Sequence, residues 1–260
     1  MIVCVDIGNT NTVIGCYDGD ALVMASRIAT DRNRMSDEYA VVFSDILGLY
    51  HIPASGITGG IVSSVVPALT EPVAEAVRHA CGVQPKILCR ALYEDLLEIR
   101  LDNPLEIGAD LVAAAVAAKH KYPLPCIVID MGTATKITAL SADGAFLGGA
   151  ILPGLRISTD ALVARTSTLT DISLEAPARV LSSNTADCMK SGAVYGAAAM
   201  LDGMCARMAR ELGAQPTVVA TGGLAARVTP YCETEIIGDA TLLLDGLRII
   251  FEANRNSERN

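Results

Sequence analysis

Two stretches of the chain carry the same pattern, and that repeat constrains the fold more than any other feature. Ile2-Val-Cys-Val-Asp-Ile-Gly-Asn-Thr-Asn-Thr-Val-Ile-Gly-Cys-Tyr17 reads as an apolar strand, a tight polar turn and a second apolar strand, with a hairpin signal at Asp18-Gly19. Cys126-Ile-Val-Ile-Asp-Met-Gly-Thr-Ala-Thr-Lys-Ile-Thr-Ala-Leu140, followed by Asp143-Gly144, runs through the same order. Asp6 and Gly8 correspond to Asp130 and Gly132, an offset of 124 (130 − 6) in a chain of 260 residues. A unit recurring at about half the chain length implies two duplicated α/β domains around a cleft. No Pro/Ser-rich linker parts the halves, so a tight hinge is expected.

The segments between supply the helices. Met35 to Tyr50 has helical spacing with Ser36 as its N-cap, and Gly60 to Val66 reads as a buried strand closed by Pro67. A helix follows from about Leu69 to Ala80, a strand from Lys86 to Cys89, and an Ala/Val-rich helix from Gly108 to Lys119. Later come a helix around Ser191 to Glu211, a strand from Val218 ending in Gly222-Gly223, and a last helix from about Thr241 to Asn254. The polar tail from Asn254 to Asn260 is expected to fray.

Composition narrows the function classes. With 51% hydrophobic and 19% charged residues the chain is not disordered. A net charge of −9 without clustered Lys or Arg argues against nucleic acid or an anionic membrane as partner. The apolar run Leu111 to Ala118 is bounded by Asp110 and Lys119, far short of the roughly 20 residues a span requires. Asp6 interrupts the first apolar run and no basic region precedes it, which argues against a signal peptide. The eight cysteines lack any Cys-x-x-Cys pair; their even number allows a disulfide framework, but in a chain this long without a secretion signal they read as reduced, mostly buried thiols. His51, His79 and His120 are too dispersed to suggest zinc.

Two readings fit the turn from Asp6 to Thr10. A carboxylate at a strand end can hold Mg²⁺ directly or through water. Gly8 then lets backbone N–H groups approach phosphate oxygens, and Asn9, Thr10 and Thr12 add donors. An Asx-type turn that merely closes a hairpin uses the same residues. The second copy and the later Gly pair favour phosphate. Neither Gly-x-x-x-x-Gly-Lys nor Gly-x-Gly-x-x-Gly is present.

Paired Asp-x-Gly loops followed by a Gly-Gly element resemble the actin and hexokinase superfamily, and the chain is similar to the type III pantothenate kinase family. The matching segments run in family order: Asp6-Ile-Gly-Asn-Thr-Asn-Thr-Val, Ser63-Ser-Val-Val-Pro, Asp102-Asn-Pro, Gly108-Ala-Asp and Asp130-Met-Gly-Thr-Ala-Thr. Gly148-Gly-Ala-Ile-Leu-Pro-Gly-Leu, Ser183-Asn-Thr, Met189-Lys-Ser-Gly, Ala220-Thr-Gly-Gly-Leu-Ala and Leu244-Asp-Gly-Leu complete them. The resemblance implies two actin-like (ribonuclease H-like) domains, at about residues 1–118 and 119–260, with a nucleotide cleft between them. It implies ATP-dependent phosphorylation of the primary hydroxyl of pantothenate to 4′-phosphopantothenate, the first step of coenzyme A biosynthesis, by a cytoplasmic homodimer. Asp6, Ile7, Gly8, Asn9, Thr10, Asn11, Thr12 and Val13 would bind ATP, with Asp6 near Mg²⁺, and Thr133 would be a further ATP contact. Gly108, Ala109, Asp110 and Leu111 fall in the substrate-binding segment, Thr185 matches a pantothenate contact, and Asp110 matches the general base. Asp130 matches the ligand of a monovalent cation, K⁺ or NH₄⁺.

The physical chemistry of Asp110 agrees with that role, since an Asp at a helix start is stabilised as a carboxylate and can take a hydroxyl proton; a plain N-cap is the other reading. Two departures stand out. Leu111 occupies the place of a family Arg and offers no guanidinium fork, with Arg100 and Arg165 as candidate replacements. Lys136 and Thr138 stand where the family has Thr and Asp, and Lys136 is either a cation near the cleft or a solvated strand residue. The rival functions are a kinase of the same fold acting on another small hydroxyl compound and a non-catalytic nucleotide-binding accessory or regulatory protein.

Overall fold

Each copy of the repeat builds one five-stranded sheet, and the two sheets share one connection order. In the computed structural model, which describes residues 1–255, the first sheet holds β1 (Ile2–Ile7), β2 (Asn11–Asp18), β3 (Ala21–Ala29), β4 (Gly59–Ser64) and β5 (Lys86–Ile87) in the order β3-β2-β1-β4-β5. The second holds β6 (Cys126–Met131), β7 (Ala134–Leu140), β8 (Phe146–Pro153), β9 (Thr217–Thr221) and β10 (Ile237–Gly238) in the order β8-β7-β6-β9-β10. In both, the three leading strands form an antiparallel meander and the later strands join in parallel. The helices are α1 (Ser36–Leu49), α2 (Pro67–Cys81), α3 (Arg90–Tyr93), α4 (Ala109–Lys121), α5 (Leu155–Ala164), α6 (Thr185–Leu212), α7 (Ala225–Val228) and α8 (Leu242–Ala253).

The period of two along a strand decides which side chains enter each core. Val3, Val5 and Ile7 of β1 pack with Ile14 of β2, Tyr39 and Phe43 of α1 and Val73 and Val77 of α2. Cys4 and Asp6 therefore face the other side of the sheet. In the second sheet Ile127, Ile129 and Met131 pack with Ala198, Leu201 and Cys205 of α6, which turns Asp130 to the opposite face.

Two compact units result. Unit 1 comprises Met1–Leu97, Leu105–Ala117 and the chain from Leu242 onward; unit 2 comprises Glu98–Pro104 and Ala118–Thr241. These bounds differ from 1–118 and 119–260 chiefly because α8 belongs with the first sheet. Gly15 leaves room for Leu244, since a Cβ there would come within 2.9 Å of its methyl. The hydroxyl of buried Tyr17 donates to Asp245 at 2.7 Å, and Gly246 rests on the backbone of Ala113.

Several element ends differ from the sequence reading. The cap of α1 is Met35, whose N–H donates to the Glu38 carboxylate at 2.8 Å, and Ser36 is already helical. α2 starts at Pro67, where a missing N–H costs no helical bond. α6 starts at Thr185, six residues (191 − 185) before Ser191, because Asn184 caps it by accepting the Asp187 N–H at 2.9 Å. Of the polar tail, Asn254 is held by side-chain bonds to the Leu92 and Ile250 carbonyls at 2.7 and 2.8 Å, while residues 256–260 lie outside the described residues. Among the described residues no helix is long and apolar enough to cross a membrane.

Candidate functional sites

In unit 1 the turn between β1 and β2 is closed by the Gly8 N–H donating to the Asn11 carbonyl at 3.0 Å. A Cβ at Gly8 would lie 2.9 Å from that carbonyl, so only glycine closes the turn this tightly. Asp6 ends the strand with its carboxyl buried, 8% exposed, while Asn9, Thr10 and Asn11 are exposed. Thr30, which the sequence reading missed, braces the loop. Its hydroxyl donates to the Gly8 carbonyl at 2.8 Å and lies 3.0 Å from that of fully buried Thr12. Its N–H donates to the Thr10 carbonyl at 2.9 Å. Only the pairing of β3 with β2 brings Thr30 there, so no local motif announces it. Ser63, opposite Asp6 across the parallel pair, is buried with no hydrogen-bond partner for its hydroxyl among the described residues.

The segment expected to bind substrate, Gly108 to Leu111, opens α4. The Val112 N–H donates to the Gly108 carbonyl at 3.1 Å, which makes Gly108 the cap and places Asp110 inside the first turn rather than at the cap. Asp110 Oδ1 accepts the Leu111 N–H at 2.8 Å, one of the first-turn amides a helix leaves unpaired. A Cβ at Gly108 would sit 2.6 Å from the same oxygen, so glycine gives that carboxylate its room. Leu111 is half-buried. Of the arginines considered as replacements, Arg100 is engaged by Glu98 and Asp143, and Arg165 ends α5 in an exposed position.

Unit 2 repeats the loop with one residue fewer. Thr12 pairs with Ile7 in the first copy, whereas Thr135 pairs with Met131 in the second. The Gly132 N–H donates to the Ala134 carbonyl at 3.1 Å, and Thr133 at the tip is exposed. Gly222 follows β9 with φ +94°, where a Cβ would fall 2.6 Å from the Met131 carbonyl. The Leu224 N–H donates to that carbonyl at 3.2 Å, so the Gly pair is stacked on the Asp130 loop. Register sets Val13 opposite Asp6 but Lys136 opposite Asp130. Lys136 Nζ lies 2.8 Å from Asp130 Oδ2, which decides between the two readings of Lys136: it is a paired cation, not a solvated strand residue. Thr185, exposed at the start of α6, lines a mainly apolar pocket of about 410 Å³ between α5 and α6, with Thr159, Leu162 and Met189. No cluster of three or more His, Cys, Asp or Glu side chains suited to a metal occurs among the described residues.

Comparison with known proteins decides what this duplicated scaffold is. The sequence model of the type III pantothenate kinase family matches residues 2–207. Type III pantothenate kinase of Moorella thermoacetica is 39% identical over 254 residues, covering 98% of this chain and 100% of that one. That of Anaeromyxobacter sp. is 41% identical over 255 residues with the same coverage. The chain belongs to the type III pantothenate kinase family. Solved structures extend the likeness at the level of fold alone. The ethanolamine utilization protein EutJ of Carboxydothermus hydrogenoformans superposes with a TM-score of 0.56 at 11% identity, over 95% of this chain and 89% of that one. An inorganic polyphosphate/ATP-glucomannokinase from Arthrobacter sp. does so with a TM-score of 0.50 at 14% identity, over 100% and 99%. The actin-like duplication read from Asp6 and Asp130 is thus the architecture of this type III pantothenate kinase family member.

Proposed function

We propose that this protein transfers the γ-phosphoryl group of ATP to the primary hydroxyl of pantothenate, giving 4′-phosphopantothenate and ADP, the first step of coenzyme A biosynthesis. The observation that carries this reading is the family match along residues 2–207, together with relatives of that name aligned over 98% of the chain.

Phosphoryl transfer asks a protein mainly for alignment and neutralisation of charge. The loop from Asp6 to Val13 holds the ATP phosphates. The turn closed at Gly8, with Asn9, Thr10 and Asn11 exposed beside it, supports this, since backbone N–H groups can approach an anion closely. Mg²⁺ fits Asp6, a hard oxygen donor at a strand end next to that turn, and when bound it would offset the negative charge of the phosphates. Thr133 is a further ATP contact, and the Gly222 turn suits packing against the adenosine.

Asp110 acts as general base. The pantothenate hydroxyl proton passes to its carboxylate as the hydroxyl oxygen bonds to phosphorus and the bond to the ADP oxygen breaks. Three features support the role: the first-turn position on α4, the space left by Gly108, and the Leu111 amide that fixes Oδ1. Gly108, Ala109, Leu111 and Thr185 contact pantothenate. We assign the protein to the cytoplasm as a homodimer.

An ADP-release assay with ATP, Mg²⁺ and pantothenate tests the reading. Asp110→Asn is expected to lower kcat by about 10²–10⁴-fold while ATP binding persists. Unaltered turnover in that variant removes Asp110 from the chemistry. A wild-type protein that binds ATP yet turns over no pantothenate supports the accessory-protein rival instead.

A further inference from the structure

The monovalent cation that the family resemblance implies at Asp130 does not fit the residues around it, because a cation is already there. Asp130 and Lys136 face each other across the β6–β7 ladder, so both side chains leave the same face of the sheet. Lys136 Nζ approaches Asp130 Oδ2 to 2.8 Å, with the two side chains only 19% and 20% exposed. Looser pairs on this protein, such as Arg90 with Glu94 at 59% and 51%, are far more open to solvent. The equivalent place in the first loop is Val13, which brings no charge. The two copies of one motif have therefore diverged at this position.

We infer that the Lys136 ammonium is a tethered replacement for the monovalent cation, so that this enzyme works without K⁺ or NH₄⁺. An ammonium carries the same single positive charge and presents three N–H donors and no acceptor. A free cation could reach the Asp130 carboxylate only by expelling Lys136 or by sitting beside a like charge. Strand pairing holds the lysine in place, so the neutralising charge is present at any salt composition. The activity arm of the test rests on the kinase reading; the stability arm does not.

Wild-type protein and Lys136→Thr are compared at equal ionic strength in potassium, ammonium and tetramethylammonium chloride, the last being too large for a compact carboxylate site. The thermal midpoint of the wild type without substrates is expected to be the same in all three. That of Lys136→Thr should rise in K⁺ or NH₄⁺, because the emptied carboxylate takes up the ion. In the ADP-release assay the wild-type rate should stay within about twofold across the salts, and Lys136→Thr should fall by roughly tenfold in tetramethylammonium and recover in K⁺. Lys136→Arg should stay as indifferent to K⁺ as the wild type. If Lys136→Thr does not fold, Lys136→Gln is read by the same criteria. The inference is overturned by a wild-type midpoint or rate that needs K⁺, or by a charge-removing variant that does not respond to it. The second outcome would leave Lys136 as an ion-pair partner of Asp130 that stands in for no cation. If no protein turns over pantothenate in any salt, the kinase reading fails and the midpoints alone decide the cation question.

Discussion

Thr30 shows how a residue outside every motif can govern the turn between β1 and β2. A threonine hydroxyl has one proton, and that of Thr30 is committed to the Gly8 carbonyl, so the Thr12 hydroxyl is the donor between the two threonines. Thr30→Val keeps the shape and removes both bonds, leaving the buried Thr12 hydroxyl and the Gly8 carbonyl short of a partner. The cost should be about 1–3 kcal/mol. Because it falls on the loop proposed to take the phosphates, it should appear as a KM for ATP raised by roughly tenfold, with a smaller change in kcat. Steady-state kinetics at varied ATP check this, and an unchanged KM would show that the loop holds its shape without Thr30. Lys136 carries the complementary lesson. Its two readings could not be separated from spacing, because the partner across the strands depends on a second loop one residue shorter than the first.

At the scale of elements, the contact between α4 and α8 is made backbone to backbone. A Cβ added at Gly246 would overlap the Ala113 carbonyl, and neither helix backbone can yield as a flexible side chain could. Ala is the better helix former by about 1 kcal/mol, yet Gly246→Ala is expected to destabilise by about 1–3 kcal/mol through overpacking. A lower urea midpoint would bear this out, whereas a variant as stable as the wild type would mean that the helices can part without loss. The Leu244-Asp-Gly-Leu segment is thus accounted for by packing: Leu244 fills the space over Gly15, Asp245 takes the Tyr17 hydroxyl, and Gly246 meets Ala113. None of these partners is near in sequence, which is why the repeat alone assigned α8 to the wrong neighbours. What could be read directly was whatever the repeat encodes locally. Both strand–turn–strand cores and the paired acids at 6 and 130 belong to that class, and the Gly pair at 222 and 223 was legible as a local turn signal of its own. The β3 and β8 strands escaped notice because much of each lies exposed at a sheet edge, so neither shows a continuous apolar run.

For the whole molecule, the distribution of acidic groups foretells how it responds to pH. Asp143, Asp202 and Asp239 are held below the ordinary carboxylate range, and all lie in unit 2. Arg100, with Ser141, draws exposed Asp143 down to about 2. At Asp202 burial pushes the carboxyl up, but the Glu233 and Thr234 N–H groups at 2.9 Å outweigh it. At Asp239 burial again pushes up, and the Lys121 ammonium at 2.6 Å with the Tyr122 hydroxyl at 2.7 Å prevails. A carboxyl with a depressed folded pKa stabilises the fold fully above its unfolded value, about 3.9 for Asp, and that contribution disappears as pH falls through the folded value. Unit 2 should therefore lose stability progressively from about pH 5 downward. Asp239 is the group to test, being nearly buried and joining the end of α4, through Lys121 and Tyr122, to the end of β9, through the bond from its own N–H to the Ala220 carbonyl at 2.8 Å. Asp239→Asn removes the charge while keeping the size, and should lower stability at neutral pH by about 1–3 kcal/mol because Lys121 loses its counter-ion. It should also flatten the acid limb, since one fewer group takes up a proton on unfolding. Amide hydrogen exchange of β6 and β9 followed from neutral to acid pH reads both effects; protection that declines as steeply in the variant as in the wild type would mean that Asp239 is not among the groups setting the acid limit.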